Sequence, residues 1–439
     1  MSPSPVRSSD RALKGASLSE IAAVASEALF PDAPAVALDV KDISGNSGAR
    51  TYLCRRDGTP MCIVKVVSGG GIMDSHENTH RRVHAGTEAM RSYGIAPPVL
   101  MRGADFHVER SAGTSVMQDY FHFDPERAPF EKVAALMARL HAAPTDWYTP
   151  LRSDFLQRDP ALYAILGQAS DHAPAWCLPW SGFDTGMPVL GVGNPDPAAA
   201  CRMLELMVET GVYAKVMLCE SFAPTSAAGR RQVVVHNDFK PDNLLCDPET
   251  DILTAIDYDL IQVGPAVMEF GLPYMMWLGS RFTTFEARRA FISAYLSAAE
   301  LPAEPADVRA LMLDCEVNTI VAFPGLLAHI YDTEVPLLRG VPHPTAKAGH
   351  IASGPGVHPT GLELVELLAE AVDKVRADDA LADRCLEQGL VVTMLREEGF
   401  GSPVLHGWLR EMQKNRMLRL FGIAEVDGGE LYVSSHAKK

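Results

Sequence analysis

The sequence predicts an α+β chain of two lobes: a small β-rich N-terminal lobe carrying one helix, and a larger, mostly helical C-terminal lobe. Three observations predict this. Residues 48–55 and 61–67 are β-rich runs separated by Arg56-Asp57-Gly58-Thr59, a turn signal that makes them a hairpin. From residue 129 onward apolar residues recur at helical spacing, as in Val133, Leu136, Met137 and Leu140. Between the helical stretches, Val233-Val234-Val235 and residues 252–256 read as short buried strands around a polar loop.

The elements follow in order. Residues 1–17 read as a disordered tail. Ser17-Leu18-Ser19-Glu20 opens a helix continued by Ile21, Val24 and Leu29. After the hairpin, residues 68–76 are Gly-rich, 77–93 read as a helix ended by Gly94, and 98–101 and 106–110 as two strands. These make an N-lobe over 18–112. The C-lobe, 113–424, takes helices at 129–143, 151–170 and 197–219, with an irregular Pro/Gly-rich insertion at 173–197 and a polar loop at 221–231. Further helices are expected at 284–300, 305–330, 361–376, 378–398 and 402–420, with a Pro/Gly/His-rich loop at 340–361 and a loose tail at 425–439. No repeat recurs at a fixed period.

Composition narrows the function. The 439 residues are 47% hydrophobic and 21% charged, ordinary for a soluble globular protein, and no apolar run reaches the roughly 20 residues of a membrane helix. A formal net charge of −16 argues against nucleic acid as the main partner and is compatible with a cationic substrate. The eight cysteines contain no CxxC pair, so neither a zinc site nor a disulfide framework is indicated, and a reducing, cytoplasmic setting fits. The N-terminus has no secretory apolar core; a transit peptide stays open, with Asp10 against it.

The chemistry centres on residues 233–259. The strand Val233–Val235 runs into His236-Asn237-Asp238-Phe239-Lys240-Pro241-Asp242-Asn243. Leu244-Leu245-Cys246 and Ile252–Ile256 are two more strands, the second delivering Asp257 and Asp259. Phosphoryl transfer from ATP needs a carboxylate to orient the acceptor hydroxyl and take its proton. It also needs oxygen ligands for Mg2+. Asp238 suits the base, and Asn243 and Asp257 suit the metal. Asp and Asn are also common turn residues, but this constellation between strands goes beyond turn chemistry.

These residues resemble the protein-kinase-like superfamily, and within it the choline/ethanolamine kinase and aminoglycoside phosphotransferase branch. The resemblance covers about residues 40–300. The branch pattern HNDxxxxN matches His236-Asn237-Asp238 with Asn243, and I-D-[FY]-[ED] matches Ile256-Asp257-Tyr258-Asp259. Ala134 to Trp147 resembles a helix ending in LHxxP, and Gly94 to Leu100 the turn into the next strand. The resemblance implies a bilobal protein-kinase-like fold with ATP and Mg2+. It implies a phosphate-covering loop at Ser44, Gly45, Asn46 and Ser47, with Lys65 on the nucleotide phosphates. The hinge at 108–111, with Glu109 and Ser111, would meet adenine through its backbone.

The chain also departs from the pattern. An acidic partner for Lys65 belongs on the 77–93 helix, near Val83; Glu88 and Glu77 are the candidates, and neither lies there. Lys240 resembles the lysine of the protein-kinase loop HRDLKPEN, which implies contact with the transferring phosphate. D-F-G and Ala-Pro-Glu segments are absent, which moves the expected acceptor from protein to a small-molecule hydroxyl.

The segment after Asp259 resembles F-D-I-G-N-H-F-x-E-W of choline kinases. It offers Tyr258, Tyr274 and Trp277 as aromatic walls for a cationic acceptor, with Glu269 and Asp259 nearby. Aromatics at helical spacing fit a core equally well. His141 reads as helix structure, and His343, His350 and His358 lack metal-ligand spacing. The expected activity is phosphorylation of choline, ethanolamine or a related amino alcohol. An aminoglycoside-type or other small-metabolite phosphotransferase, a pseudokinase scaffold and a protein kinase are the alternatives. A homodimer stays open.

Overall fold

The computed structural model describes residues 6–44, 50–66, 77–116, 130–151, 219–280, 283–321, 361–397, 400, 402–414, 424–427 and 430–432. The helices expected at 151–170 and 197–219, the insertion at 173–197, and the His-bearing loop at 340–361 lie outside these residues or only touch their edges.

The N-lobe is one six-stranded sheet backed by a helix. Its strands are β1 (Arg7–Ser8), β2 (Asp39–Asp42), β3 (Arg50–Arg56), β4 (Thr59–Val66), β5 (Val99–Arg102) and β6 (Phe106–Arg110), in spatial order β1-β5-β6-β4-β3-β2. The β3–β4 hairpin turns at Asp57 (φ 51°) and Gly58 (φ 81°), the pair of left-handed residues a tight hairpin turn needs. Alternation sends Tyr52, Cys54, Cys62, Val64, Val66, Met101, Phe106 and Val108 to one face. There they pack on Ile21, Val24, Ala25 and Ala28 of α1 (Leu18–Leu29). A capping box starts α1: the Ser17 side chain accepts from the Glu20 N–H, and the Glu20 carboxylate accepts from the Ser17 N–H. α2 (Glu77–Ser92), which ends before Gly94, pairs Arg91 with Glu109 of β6 and Glu88 with Arg102 of β5.

Residues 6–16 do not form the tail expected over 1–17. β1 adds to the sheet, pairing parallel with β5, and Leu13 is buried in the α1 core. The Leu13 and Lys14 N–H groups donate to Asp105 at 2.7 and 2.8 Å, so the backbone is held as well. In the C-terminal tail expected over 425–439, β13 (Glu430–Tyr432) pairs antiparallel with β12 (Ala424–Asp427).

The C-lobe is a helical body around three short strand pairings. α3 (Phe130–His141) buries Val133, Leu136, Met137 and Leu140 against it, as the spacing predicts. β7 (Thr114–Ser115), β9 (Leu244–Cys246) and β10 (Leu253–Ala255) form one sheet; β8 (Gln232–Val235) and β11 (Gln262–Pro265) form another. The helices α4 (Phe285–Ala298), α5 (Pro305–Val321), α6 (Gly361–Ala377), α7 (Asp379–Gln388), α8 (Leu390–Arg396) and α9 (Pro403–Lys414) complete the lobe. The single helix expected over 378–398 is two. Gly389 adopts φ 90°, and Arg288 pins the break by donating to the Leu386 and Glu387 carbonyls at 2.6 and 3.0 Å. Met90, Ile95 and Ala96 join the C-lobe core, so the end of α2 is the bridge between lobes. Among the described residues no helix is long and apolar enough to cross a membrane.

Candidate active site

β8 is buried apart from Gln232 and pairs with β11 in the register Val235↔Gln262. It hands the chain to the loop His236–Asn243, which leads into β9; β10 returns antiparallel and delivers Asp257. Three residues bend this path in left-handed backbone, Asn237 (φ 62°), Asp251 (φ 57°) and Asp257 (φ 66°). Such a conformation costs a non-glycine residue about 1–3 kcal/mol and persists where its surroundings impose it. At Asn237 they do: its Nδ2 donates to the Leu260 carbonyl at 2.9 Å.

His236 ties the two strand ends together. Its Nε2–H donates to the Ile256 carbonyl at 2.8 Å, next to Asp257, while Nδ1 accepts from the Asp238 N–H at 3.3 Å. Those partners assign the ring proton to Nε2. The Asp238 Oδ2 accepts from Lys240 Nζ at 2.7 Å and from Asn243 Nδ2 at 2.8 Å. Asn243 Nδ2 also donates to the Asp238 carbonyl at 2.9 Å. Burial pushes the Asp238 carboxyl above its ordinary value, and the Lys240 charge and hydrogen bond oppose that push. These bonds use one carboxylate oxygen, Oδ2.

Lys65, on β4, reaches across the lobes to Asp257, with Nζ 3.8 Å from Oδ1. One charge partner of Lys65 thus comes from the C-lobe. Glu88, a candidate on α2, instead pairs with Arg91 and Arg102, and the side chain of Glu77 lies outside the described residues.

The donor set fits a magnesium ion bound with a nucleotide. Both partners of Asn243 Nδ2 are acceptors, which forces its nitrogen toward Asp238 and leaves the amide oxygen as a ligand. Asp257 adds a partly exposed carboxylate. Mg2+ commonly takes one or two such protein oxygens and completes its shell with phosphate and water.

The other expected site residues divide. Gly45, Asn46 and Ser47 lie outside the described residues. Ser44 precedes them, exposed. Its N–H and Oγ–H donate to Asp42 at 2.9 and 2.5 Å, and its Oγ accepts from the Thr51 N–H at 2.9 Å. Ser111 follows β6, but its N–H donates to the Met61 carbonyl at 3.0 Å and is not open to adenine. Glu109 sits within β6 with its side chain turned inward, onto Arg91 and His107. Asp259 lies in the short turn Tyr258–Leu260, immediately after Asp257.

The expected aromatic acceptor walls are corrected. Trp277 is 1% exposed and stacks on Phe130 at 6.1 Å, with Phe291 edge-on at 5.5 Å. Tyr274 is buried in the same core. Tyr258 is buried against the His236 ring, 4.7 Å between centroids, and burial pushes its phenol far up. The three rings belong to the C-lobe core, where aromatic side chains bury large apolar areas. Glu269 is corrected as well. It is 1% exposed and turned toward the loop His236–Asn243, where its two oxygens accept from the His236 N–H at 2.5 Å and the Asn237 N–H at 3.1 Å.

Behind Glu269 stands a residue whose role sequence reading missed. His141 Nε2 is 3.8 Å from Glu269 Oε2, and its Nδ1 lies 2.7 Å from the Tyr295 hydroxyl. A carboxylate inside the apolar run Val267-Met268-Glu269-Phe270 was the available signal, since a buried acid needs donors.

No curated protein sequence matches the chain. Among solved structures, it is similar to a choline kinase from Cryptosporidium parvum, at 14% identity and TM-score 0.44, covering 85% of this chain and 98% of that one. A choline/ethanolamine kinase family protein from Mesorhizobium loti shows 11% identity and TM-score 0.40, covering 91% and 100%. A macrolide 2'-phosphotransferase from Brachybacterium faecium shows 13% identity and TM-score 0.35, covering 69% and 87%. The phosphotransferase enzyme family matches residues 40–311, more than half of the 439 residues. That span contains Lys65, the loop His236–Asn243 and Asp257, and the chain belongs to this phosphotransferase family.

Proposed function

We propose that this chain is an ATP- and Mg2+-dependent kinase that phosphorylates a hydroxyl group of a small molecule. The observation that carries the reading is the pairing of two charge arrangements. Asp238 is held by Lys240 and Asn243, while Asp257 of the adjoining strand meets Lys65 from the other lobe.

Asp238 Oδ1 accepts the hydrogen bond of the acceptor O–H and takes its proton as the oxygen bonds to the γ-phosphorus. The bond from that phosphorus to the β–γ bridging oxygen breaks, and ADP leaves. Lys65 contacts the nucleotide phosphates. Lys240, beside Asp238, faces the charge that develops on the transferred group. Asn243 and Asp257 would hold the magnesium ion, which when bound neutralises phosphate charge.

The motif likeness supports choline, ethanolamine or a related amino alcohol as the acceptor. The burial of Tyr258, Tyr274 and Trp277 favours a second reading, a polyhydroxylated acceptor of the aminoglycoside type that needs no aromatic cage. An ATP-consumption screen over choline, ethanolamine, their methylated intermediates, aminoglycosides and simple alcohols tests both. Asp238→Ala is its control. Turnover of one acceptor class by the wild type, lost by about 10²–10⁴-fold in the variant, is expected. Equal turnover by the variant would sink the mechanism. ATP binding with no acceptor consumed would favour a scaffold.

A further inference from the structure

Two cysteines stand opposite each other in the N-lobe. The β3–β4 register pairs Cys54 with Cys62, next to the pair Leu53↔Ile63. Both are free, both belong to the core packed on α1, and both are 0% exposed. They therefore lie on one face of the sheet as direct cross-strand neighbours. Opposed residues of an antiparallel pair hold their Cα atoms about 4.5–5.5 Å apart. A disulfide spans Cα atoms about 4.4–6.8 Å apart, so the backbone already stands at bonding distance. The Cβ atoms of such a pair, about 4.5–5.5 Å apart, need only approach by about 1 Å.

The ladder is also irregular there. Arg55 pairs with Pro60, so Met61 is an extra residue beside Cys62. A bulge of this kind bends its strand locally. The Met61 carbonyl turns to the other neighbour and accepts from the Ser111 N–H at 3.0 Å. The two thiols are unequal as well. Hydrogen bonding between them lowers Cys54, and the same bonding, together with burial, raises Cys62. Cys54 is thus the sulfur that ionises first and attacks, and Cys62 the one that resolves.

We propose that Cys54 and Cys62 form a modification site, a cross-strand dithiol that a small peroxide closes to a disulfide, stapling β3 to the strand that carries Lys65. Hydrogen peroxide is small enough to reach a buried pair through local opening of the hairpin. The Cys54 thiolate bonds to one peroxide oxygen and the O–O bond breaks. Cys54 becomes a sulfenic acid, and the departing hydroxide takes up the proton Cys54 released, leaving as water. The Cys62 sulfur then bonds to the Cys54 sulfur, the S–O bond breaks, and the hydroxyl leaves as a second water with the Cys62 proton. Two thiols and one peroxide thus give one disulfide and two waters. A bond closing so short a loop shifts the unfolding equilibrium toward the folded side by about tenfold to a hundredfold.

The test does not depend on the kinase reading. The reduced full chain is treated with hydrogen peroxide while folded, then unfolded in N-ethylmaleimide and digested with trypsin without reductant. Cleavage after Arg50, Arg55, Arg56 and Lys65 places the two cysteines on separate peptides, 51–55 and 57–65. The expected product is these two peptides joined, separated again by dithiothreitol. The oxidised chain should also unfold at higher urea than the reduced chain. Cys62→Ala should abolish the joined pair and leave Cys54 as a sulfenic acid that dimedone traps, whereas Cys219→Ser should leave the joined pair intact. Peroxide that consumes Cys219 or Cys246 while 51–55 and 57–65 stay separate overturns the proposal. So does a joined pair that forms only in the unfolded chain, or an oxidised chain no more resistant to urea than the reduced one. Should Cys62→Ala fail to fold, Cys54→Ala must likewise abolish the joined pair.

Discussion

Glu269→Gln separates a brace from a binding residue. Its carboxylate accepts two backbone N–H bonds, at 2.5 Å from His236 and 3.1 Å from Asn237, with no exposure of the side chain. Bonds to a buried charged group are worth about 1.5–3 kcal/mol each. Glutamine retains one acceptor oxygen and turns its NH2 group toward a backbone donor. One bond is lost and one N–H is left unpaired, a cost of about 2–4 kcal/mol. That lies inside the 5–15 kcal/mol stability of an ordinary domain, so the variant folds. Urea unfolding and steady-state kinetics read the result. The expected outcome is a lower unfolding midpoint and a lower kcat, because the loop presenting Asp238 loosens, with an unchanged KM for the acceptor. An acceptor KM that rises while the unfolding midpoint stays put would refute the brace and return Glu269 to the acceptor pocket.

Trp277→Ala should lower stability by about 3–5 kcal/mol in the same unfolding assay without a selective rise in acceptor KM, as expected of a stacked core residue. The acidic limb of kcat/KM should lie above the ordinary aspartate value, because burial raises Asp238 and the protonated form cannot take a proton; a pH–rate profile reads it. Lys240→Met should move that limb to still higher pH, since the lysine charge favours the carboxylate. Burial lowers the His141 pKa, so the folded state binds that proton less well than the unfolded chain. Unfolding midpoints should therefore fall as pH drops below about 6.5, the ordinary histidine value, and the fall should shrink in His141→Gln. Gly389→Ala should cost about 1–3 kcal/mol, because φ there is 90° and a Cβ would sit 2.5 Å from Ser280 Oγ.

What sequence reading recovered and what it lost follow from the range of each interaction. The β3–β4 hairpin was legible because Asp57-Gly58 states its turn within two residues. α3 was legible because its apolar stripe repeats every turn. β1 was not: two residues, Arg7 and Ser8, carry no periodicity, and their pairing with Met101 and Arg102 spans more than ninety positions. β11 was hidden as well, because Gln262-Val263-Gly264-Pro265 combines strand-breaking residues with a partner, β8, about thirty positions earlier. The helix break at Gly389 depends on carbonyls captured by Arg288, about a hundred positions away.

The same rule orders the site. The spacing from Asp238 to Asn243 encodes its own geometry, because a five-residue loop brings the amide back onto the carboxylate. Asp257 follows from the next strand by the ladder of β9 and β10. Spacing does not encode which side of a helical run faces the core, and Tyr274 and Trp277 were assigned to a pocket on the segment's likeness to choline kinases and on their aromatic identity. Nor does it encode how a charge is shared. The resemblance places an acidic partner for Lys65 on α2, where Glu88 pairs with Arg91 and Arg102, and the cross-strand register sets Lys65 on one face with His107 and Glu109. Glu109 of β6, buried between Arg91 and His107, is set in that cluster by position rather than by motif.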